Sequence, residues 1–194
     1  MKKYTEFTKD IWFGQFDDAR REEIELGVQN GVDALLYADL KYDQWQMYEI
    51  RLGLQAGLPV EIYTNPKFSD KQMYYIRYGL ERGFPVHEYA FYTFTPQQML
   101  EIVRGYEQTI DPTPYLNPDY TEDKMREIRY AIKHGVNLAP YAESCSAEQL
   151  QKIRYILESG EELCDCGCFD VLPGLKPRDS RLTCQTRSVL VSDL

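Results

Sequence analysis

The chain repeats itself every 26 residues, and this period constrains its fold more than any other feature. The stretch 68–90 (FSDKQMYYIRYGLERGFPVHEYA) aligns with 42–64 (YDQWQMYEIRLGLQAGLPVEIYT), and stretches 94–116 and 120–142 continue the alignment. An isoleucine marks six copies, the last one residue short of the period: Ile24, Ile50, Ile76, Ile102, Ile128 and Ile153. A tyrosine closes five copies: Tyr37, Tyr63, Tyr89, Tyr115 and Tyr141. A fixed period of this length indicates an array of stacked repeats.

Within each copy the pattern predicts one principal helix and a short second element. In the third copy Ser69 suits an N-cap, Met73, Ile76 and Leu80 follow on one helical face, and Gly83 suits a left-handed C-terminal residue. We therefore expect six helices of roughly 13 residues, beginning near residues 17, 43, 69, 95, 121 and 146. The piece after the glycine, PVHEYA in this copy, predicts a 3-10 turn or very short helix, with a short strand as the alternative.

The predicted fold is all-α, a short α-solenoid-like array of six repeats with an irregular C-terminal tail. We expect an N-terminal cap over 1–15, the repeats over 16–163 and a cysteine-containing cap or tail over 164–194. The aromatic segment Met1–Gln15 suits a cap, and a partner-binding arm is the alternative. In the fourth copy Thr109 replaces the terminal glycine and a proline-rich stretch follows, which predicts a bend or a division between copies one to three and five to six.

A second column of small residues runs through the middle of the helices: Gly27, Gly53, Gly79, Gly105 and Ala131. Glycine costs helical stability at such a position, so a large group must pack closely against it. We expect the repeating tyrosine to lie there, with its hydroxyl on a polar partner. A ligand groove is the alternative.

The charge balance limits the partners of the chain. The net charge is −9, and the pI is about 4.8; the segment after residue 163 is neutral, so the repeats and the N-terminus carry the whole excess. This argues against direct binding to duplex DNA and favours a basic partner or simple solubility. No signal peptide or membrane span is visible, so we expect a cytoplasmic protein without a membrane partner.

Few residues point to chemistry. Cys164, Cys166 and Cys168, with Cys184 further on, are spaced too tightly for a usual zinc site, and free thiols are the favoured interpretation. The histidines His87 and His134 have no nucleophile pattern beside them, and no phosphate-binding loop is present. We predict no enzyme activity, no catalytic residue, no metal and no cofactor, with a metal-binding cysteine tail as an alternative.

Two columns of charge flank the marker isoleucine. Arginines follow it directly (Arg51, Arg77, Arg129, Arg154), and glutamates precede it (Glu23, Glu49, Glu101, Glu127). Because they lie on opposite shoulders of the helix, we expect two separate stripes. We expect the arginines to bond loop carbonyls or acids of the next repeat. The glutamates predict a solvated face or, together with Tyr48, Tyr74, Tyr75 and Tyr78, a negatively charged partner-binding strip.

The stretches QMYEIRLGLQAGLPVEIY and QMYYIRYGLERGFPVHEY resemble a tandem repeat of proteins from phages and integrative elements of Gram-positive gut bacteria, close to Q-M-x-x-I-R-x-G-L-x-x-G-x-x-V-x-x-Y-A. The resemblance covers about 16–163 and is specific in copies two, three and five. Copies one and four depart, with Arg21 at the methionine position and Val103 in place of the arginine. The resemblance implies an origin in a mobile genetic element. By analogy with small acidic proteins of such elements, it implies an inhibitor of host defence of the anti-CRISPR type.

Together these observations predict a non-catalytic acidic protein that covers a basic, nucleic-acid-binding surface of a bacterial protein such as a CRISPR nuclease. The alternatives are a neutral assembly scaffold and a metal-binding protein acting through the cysteine tail.

Overall fold

The computed structural model describes residues 13–160, and this part of the chain is an all-α helical-repeat array without strands. Its α-helices are α1 (Asp18–Gln29), α2 (Gln44–Gln55), α3 (Asp70–Arg82), α4 (Pro96–Glu107), α5 (Glu122–Lys133), α6 (Ala139–Ala142) and α7 (Ala147–Glu158). The 3-10 turns are Phe13–Gln15, Ala34–Leu36, Val60–Ile62, Val86–Glu88 and Thr113–Tyr115. The six predicted helices are therefore confirmed, and so are the short turns rather than strands between them.

Local sequence fixes both ends of the principal helices. The N-caps are polar residues, as predicted for Ser69, with side chains that accept hydrogen bonds from amides of the first turn: Asp17, Asp43, Ser69, Thr95, Thr121 and Ser146. After the helix, Gly31, Gly57, Gly83, Gly135 and Gly160 have φ between 69° and 77°. Thr109 takes the same left-handed conformation in the fourth copy, with φ 56°. The position therefore requires positive φ whichever residue occupies it.

Consecutive helices in α1–α3 run parallel, since their contacts join equivalent turns. Gln46 in the first turn of α2 reaches Phe68, which lies just before α3. Glu49 in the middle of α2 pairs with Arg77 in the middle of α3. The 3-10 turn and the following loop thus return the chain to the level at which the previous helix began.

The chain divides into two compact units, between Val103 and Arg104 within α4. In the described part of unit 1, 13–103, the marker residues Ile24, Ile50, Ile76 and Ile102 are fully buried. In that of unit 2, 104–160, α5 packs against α7, and Ile128 and Ile153 are buried. The irregular fourth copy, where a bend or a division was expected, contains this boundary.

The predictions for the N-terminal segment up to Trp12 and for the cysteine tail lie outside the described residues. Only Phe13–Gln15 of the expected N-terminal cap is described, as a 3-10 turn. Among residues 13–160, no helix has the length and apolar character needed to cross a membrane.

Candidate functional site

The repeating tyrosine lies across the helical glycine, as predicted. A Cβ atom built on Gly79 would lie 1.9 Å from the Tyr89 hydroxyl oxygen and 2.8 Å from Cγ1 of Val86. The Tyr89 hydroxyl donates to the carbonyl of Tyr75 at 3.3 Å. Equivalent tyrosines occupy the same space at Gly27, Gly53 and Gly105. This column is therefore filled by protein, which favours the packing interpretation over a ligand groove.

The fifth copy departs from this arrangement. Ala131 replaces the glycine and is itself fully buried, while Tyr141 is only partly buried. The 3-10 turn is replaced there by the short helix α6, and Leu138 fills a buried position. The short helix α6 packs against α5 in this copy.

The glutamate and arginine columns meet between neighbouring helices. Three contacts between side chains show this: Arg51 Nε donates to Glu23 at 2.8 Å, Arg77 Nε to Glu49 at 2.7 Å, and Arg154 Nε to Glu127 at 3.0 Å. We call such a pair, a glutamate of one copy with the arginine of the next, a rung. The predicted pairing of the arginines with acids is confirmed, but the acid belongs to the preceding repeat.

Each arginine in these rungs also bonds within its own helix. Arg51 donates to Gln55, Arg77 to Glu81 and Arg154 to Glu158, always one turn further along. An aromatic ring lies against each guanidinium: Tyr48 at 5.3 Å from Arg51, Tyr74 at 5.6 Å from Arg77 and Tyr155 at 4.4 Å from Arg154. Each rung arginine thus has a carboxylate, an acceptor one turn along and an aromatic ring as partners.

The electrostatics of the middle rung follow from its burial. Desolvation raises the pKa of Glu49 above its ordinary value, against the opposing effect of the Arg77 hydrogen bond. Burial also acts to lower the pKa of Arg77, but hydrogen bonds to Glu49 and Glu81 outweigh it and raise that pKa. The two side chains therefore depend on each other, since burial leaves little bulk water to replace either partner.

The prediction of an exposed acidic strip on the four glutamates is wrong. Glu49 and Glu127 are 7% exposed, Glu101 is 1% exposed, and the Glu23 side chain is 15% exposed. The two expected stripes are not separate either. The side of a helix that carries the glutamate faces the side of its parallel neighbour that carries the arginine, so stacking brings the two columns together. Glu23, Glu49 and Glu127 stabilise the contact between repeats, and none of the four glutamates forms a free charged surface.

The structure brings three of the four predicted tyrosines together. Tyr74 lies 5.1 Å from Tyr75 and 6.0 Å from Tyr78 between ring centroids on α3, while Tyr48 lies beside Trp45 on α2. Of the four, Tyr74 is exposed and the others are partly buried. Tyr48 and Tyr74 cover rung arginines, which gives them a structural role that sequence analysis did not assign.

A column of side-chain donors near the start of each helix was missed by the sequence analysis. Gln46 Nε2 donates to the carbonyl of Phe68 at 2.6 Å, and Gln72 Nε2 to that of Phe94 at 2.5 Å. The Oε1 of each accepts from the N-cap amide of its own helix, which completes a capping box. Arg20 and Lys124 hold the equivalent position and donate to Tyr42 O and Ala142 O. The sequence contained a signal for this column, because residues with side-chain N–H donors recur at this position of the repeat.

The third and fourth copies cannot form a rung with each other, because neither the glutamate nor the arginine is present. The glutamate position of the third copy is Tyr75, and the arginine position of the fourth copy, 28 residues later as in the first two rungs, is Val103. Both charges are lost together, which avoids leaving one buried charge alone.

The exposed charges of the described residues are predominantly acidic. Six exposed basic residues are present: Lys41, Lys67, Lys71, Arg82, Lys133 and Lys152. Fifteen acidic residues are exposed: Asp17, Asp18, Glu22, Asp33, Asp39, Asp43, Glu61, Glu81, Glu107, Asp111, Asp119, Asp123, Glu143, Glu148 and Glu158. The negative surface predicted from composition is therefore present, on other residues than those we selected.

Within residues 13–160, no three His, Cys, Asp or Glu side chains come close enough together to hold a metal ion. Cys145 is a buried free thiol, and the other four cysteines lie outside the described part of the chain. Comparisons with protein families, curated proteins and solved structures give no match to this chain.

Proposed function

We propose that this chain is a non-catalytic binding protein that covers a basic, nucleic-acid-binding surface of a bacterial partner protein in the cytoplasm. The excess of exposed carboxylates over exposed lysines and arginines is the observation that carries the proposal. The buried glutamates and arginines of the rungs are not part of this excess, which belongs to residues in contact with solvent. A surface of this sign attracts a basic partner and repels nucleic acid.

The class of partner follows from the resemblance of the repeat motif. Proteins of phages and integrative elements carry similar tandem copies, so the proposal extends to an inhibitor of a host defence enzyme, with a CRISPR nuclease as the leading example. A basic channel that holds nucleic acid has the charge that the exposed carboxylates complement.

The test is a pull-down with the tagged chain from a nuclease-treated lysate of a Gram-positive bacterium, with elution by a salt gradient and mass spectrometry. We expect a basic, nucleic-acid-binding protein that elutes as salt rises, because screening weakens charge attraction. A partner that is acidic or insensitive to salt would favour an assembly scaffold instead.

Charge variants sharpen this test. Glu22→Gln, Glu61→Gln and Asp119→Asn together remove three exposed charges, and we expect the partner to elute at lower salt. The matched control, Lys71→Gln, Lys133→Gln and Lys152→Gln, removes three exposed positive charges and should raise the elution salt or leave it unchanged. Equal shifts in the same direction for both variants would contradict the charge-based proposal.

A further inference from the structure

The exposed large apolar side chains of the described residues concentrate on one part of unit 1. Six of the nine lie in its 3-10 turns and in the loops that follow them, and we call these six the turn edge: Leu35, Leu36, Leu40, Ile62, Phe91 and Tyr92. Their exposure ranges from 37% to 56%. A concentration of exposed apolar side chains in one region is typical of a binding surface, whereas scattered ones need no explanation.

The turn edge follows the repeat. Leu40, Pro66 and Tyr92 hold one repeat position in three successive loops, and all three are exposed. Leu36 and Ile62 share another position in successive 3-10 turns. Consecutive packed helices lie roughly 8–10 Å apart, so the turn edge, together with Pro66, offers apolar contacts at that interval along unit 1.

This interval matches an α-helix laid along the array. A helix rises 1.5 Å per residue, so side chains at i, i+7 and i+14 recur at about 10.5 Å on one face. A helix with apolar residues at those positions would place one anchor against each successive loop. An extended strand does not match this interval, since the side chains on one of its faces recur at about 7 Å.

The charges around the turn edge indicate the polar residues of that helix. Asp33, Asp39 and Glu61 are exposed. Of the two lysines in the same loops, Lys41 is paired with Asp39, and Lys67 lies over the ring of Tyr92. Outside the Lys41–Asp39 pair, the exposed charges of these turns and loops are the carboxylates of Asp33 and Glu61 and one lysine, Lys67, a negative balance that complements lysine and arginine.

We propose that the turn edge of unit 1 docks an amphipathic basic helix of the partner, with apolar residues at i, i+7 and i+14 and lysine or arginine beside them. The inference rests on the proposed function and assigns its surface and the chemistry of the partner segment. It replaces the buried glutamates as the place where the partner is held.

The test uses three fluorescein-labelled peptides of about 21 residues, which span roughly 30 Å as helices. The first has leucine at heptad positions and lysine elsewhere. The second has the same composition with the leucines scrambled, and the third has glutamate in place of lysine. Fluorescence anisotropy with the full chain should show binding of the first, weaker binding of the second and none of the third.

Matched variants locate the binding. Leu40→Ser, Ile62→Ser and Tyr92→Ser together should weaken binding of the first peptide by about tenfold or more. The control Trp45→Ser, Tyr74→Ser and Tyr155→Ser removes three similarly exposed aromatic residues from helices and should change it less than about twofold. Thermal melts followed by circular dichroism confirm that both variants fold.

The outcomes separate this inference from the proposed function. If neither basic peptide binds at any ionic strength, both proposals fail. If basic peptides bind but the turn-edge variant binds them as the wild type does, only the turn edge is overturned. A wild-type dimer in sedimentation equilibrium that the turn-edge variant lacks would assign the surface to a second copy of the chain and would also overturn it.

Discussion

At the middle of each helix of unit 1, the glycine leaves no room for a methyl group, because the tyrosine of the same repeat lies against it. The clash at Gly79 involves both the Tyr89 hydroxyl and the side chain of Val86. Neither is free to move away, since Tyr89 is fully buried and Val86 nearly so. The small residue is therefore a packing requirement that outweighs its cost to the helix.

Gly79→Ala should lower the free energy of unfolding by about 1–3 kcal/mol, the usual cost of overpacking. Urea denaturation measures this. The control is Gly14→Ala, because a Cβ atom there would meet no atom within 4 Å. Equal stability of the two variants would show that the tyrosine yields more easily than the burial suggests.

Thr109 carries a backbone strain that glycine avoids in the other copies. It has φ 56°, a region that β-branched residues rarely adopt. Thr109→Gly should therefore raise the free energy of unfolding by about 1 kcal/mol, and Gly83→Thr should lower it by a similar amount or more. If Thr109→Gly instead destabilised the protein in urea denaturation, the threonine would hold the fourth copy by its side chain.

At the scale of the helix, the glutamine of the capping box also joins one repeat to the next. Gln72 accepts from the amide of Ser69 and donates to the carbonyls of Phe94 and Tyr92. One side chain therefore fixes both the start of α3 and the loop before α4. This explains why a donor recurs at that position.

Gln72→Glu separates the two roles, since glutamate keeps the acceptor for Ser69 and loses the donor. We expect it to lower the free energy of unfolding by about 1–3 kcal/mol or more, because a buried carboxylate then faces two carbonyl oxygens. The control is Gln97→Glu on the exposed face of α4, which should have little effect. Similar denaturation midpoints for the two variants would exclude an inter-repeat role for Gln72.

The helices were predictable from sequence because their signals are local. N-cap residues such as Ser69, the apolar face and Gly83 lie within one repeat, and the period multiplies the signal. The contacts of Glu49 were not predictable in the same way, since they depend on which shoulder of α2 faces α3. The sequence did contain a signal for this pairing. Tyr75 and Val103 both lack the charge that other copies carry at their positions, and they lie 28 residues apart, the same separation as the paired residues Glu49 and Arg77.

At the scale of the whole molecule, the buried tyrosines couple folding to alkaline pH. Burial raises the pKa of the phenols of Tyr37, Tyr63 and Tyr89 well above the ordinary value of 10.0. The unfolded chain therefore loses these protons at lower pH than the folded one, so stability is intact below about pH 10 and falls as pH rises further.

Absorbance at 295 nm during an alkaline titration measures this coupling. We expect the exposed tyrosines to ionise first and the buried ones only together with unfolding, which circular dichroism follows in parallel. Tyr89→Phe should remove one phenol from the late step. A single smooth titration of all tyrosines without loss of helicity would contradict the burial of this column.

The rungs are the central feature of the molecule, because they take the acidic column predicted for partner binding and use it to join repeats. The missing rung supplies the most direct test: Glu49→Tyr and Arg77→Val, singly and together, reproduce the residues found at positions 75 and 103. Urea denaturation of the four proteins measures the coupling. Arg77→Val should lose about 3–5 kcal/mol, since it leaves the buried carboxylate of Glu49 unpaired, and Glu49→Tyr should lose less, since Arg77 keeps its pair with Glu81. The double variant should recover most of that loss. Single variants within about 0.5 kcal/mol of the wild type, with additive effects, would show that the charges behave as exposed ones and would contradict the account.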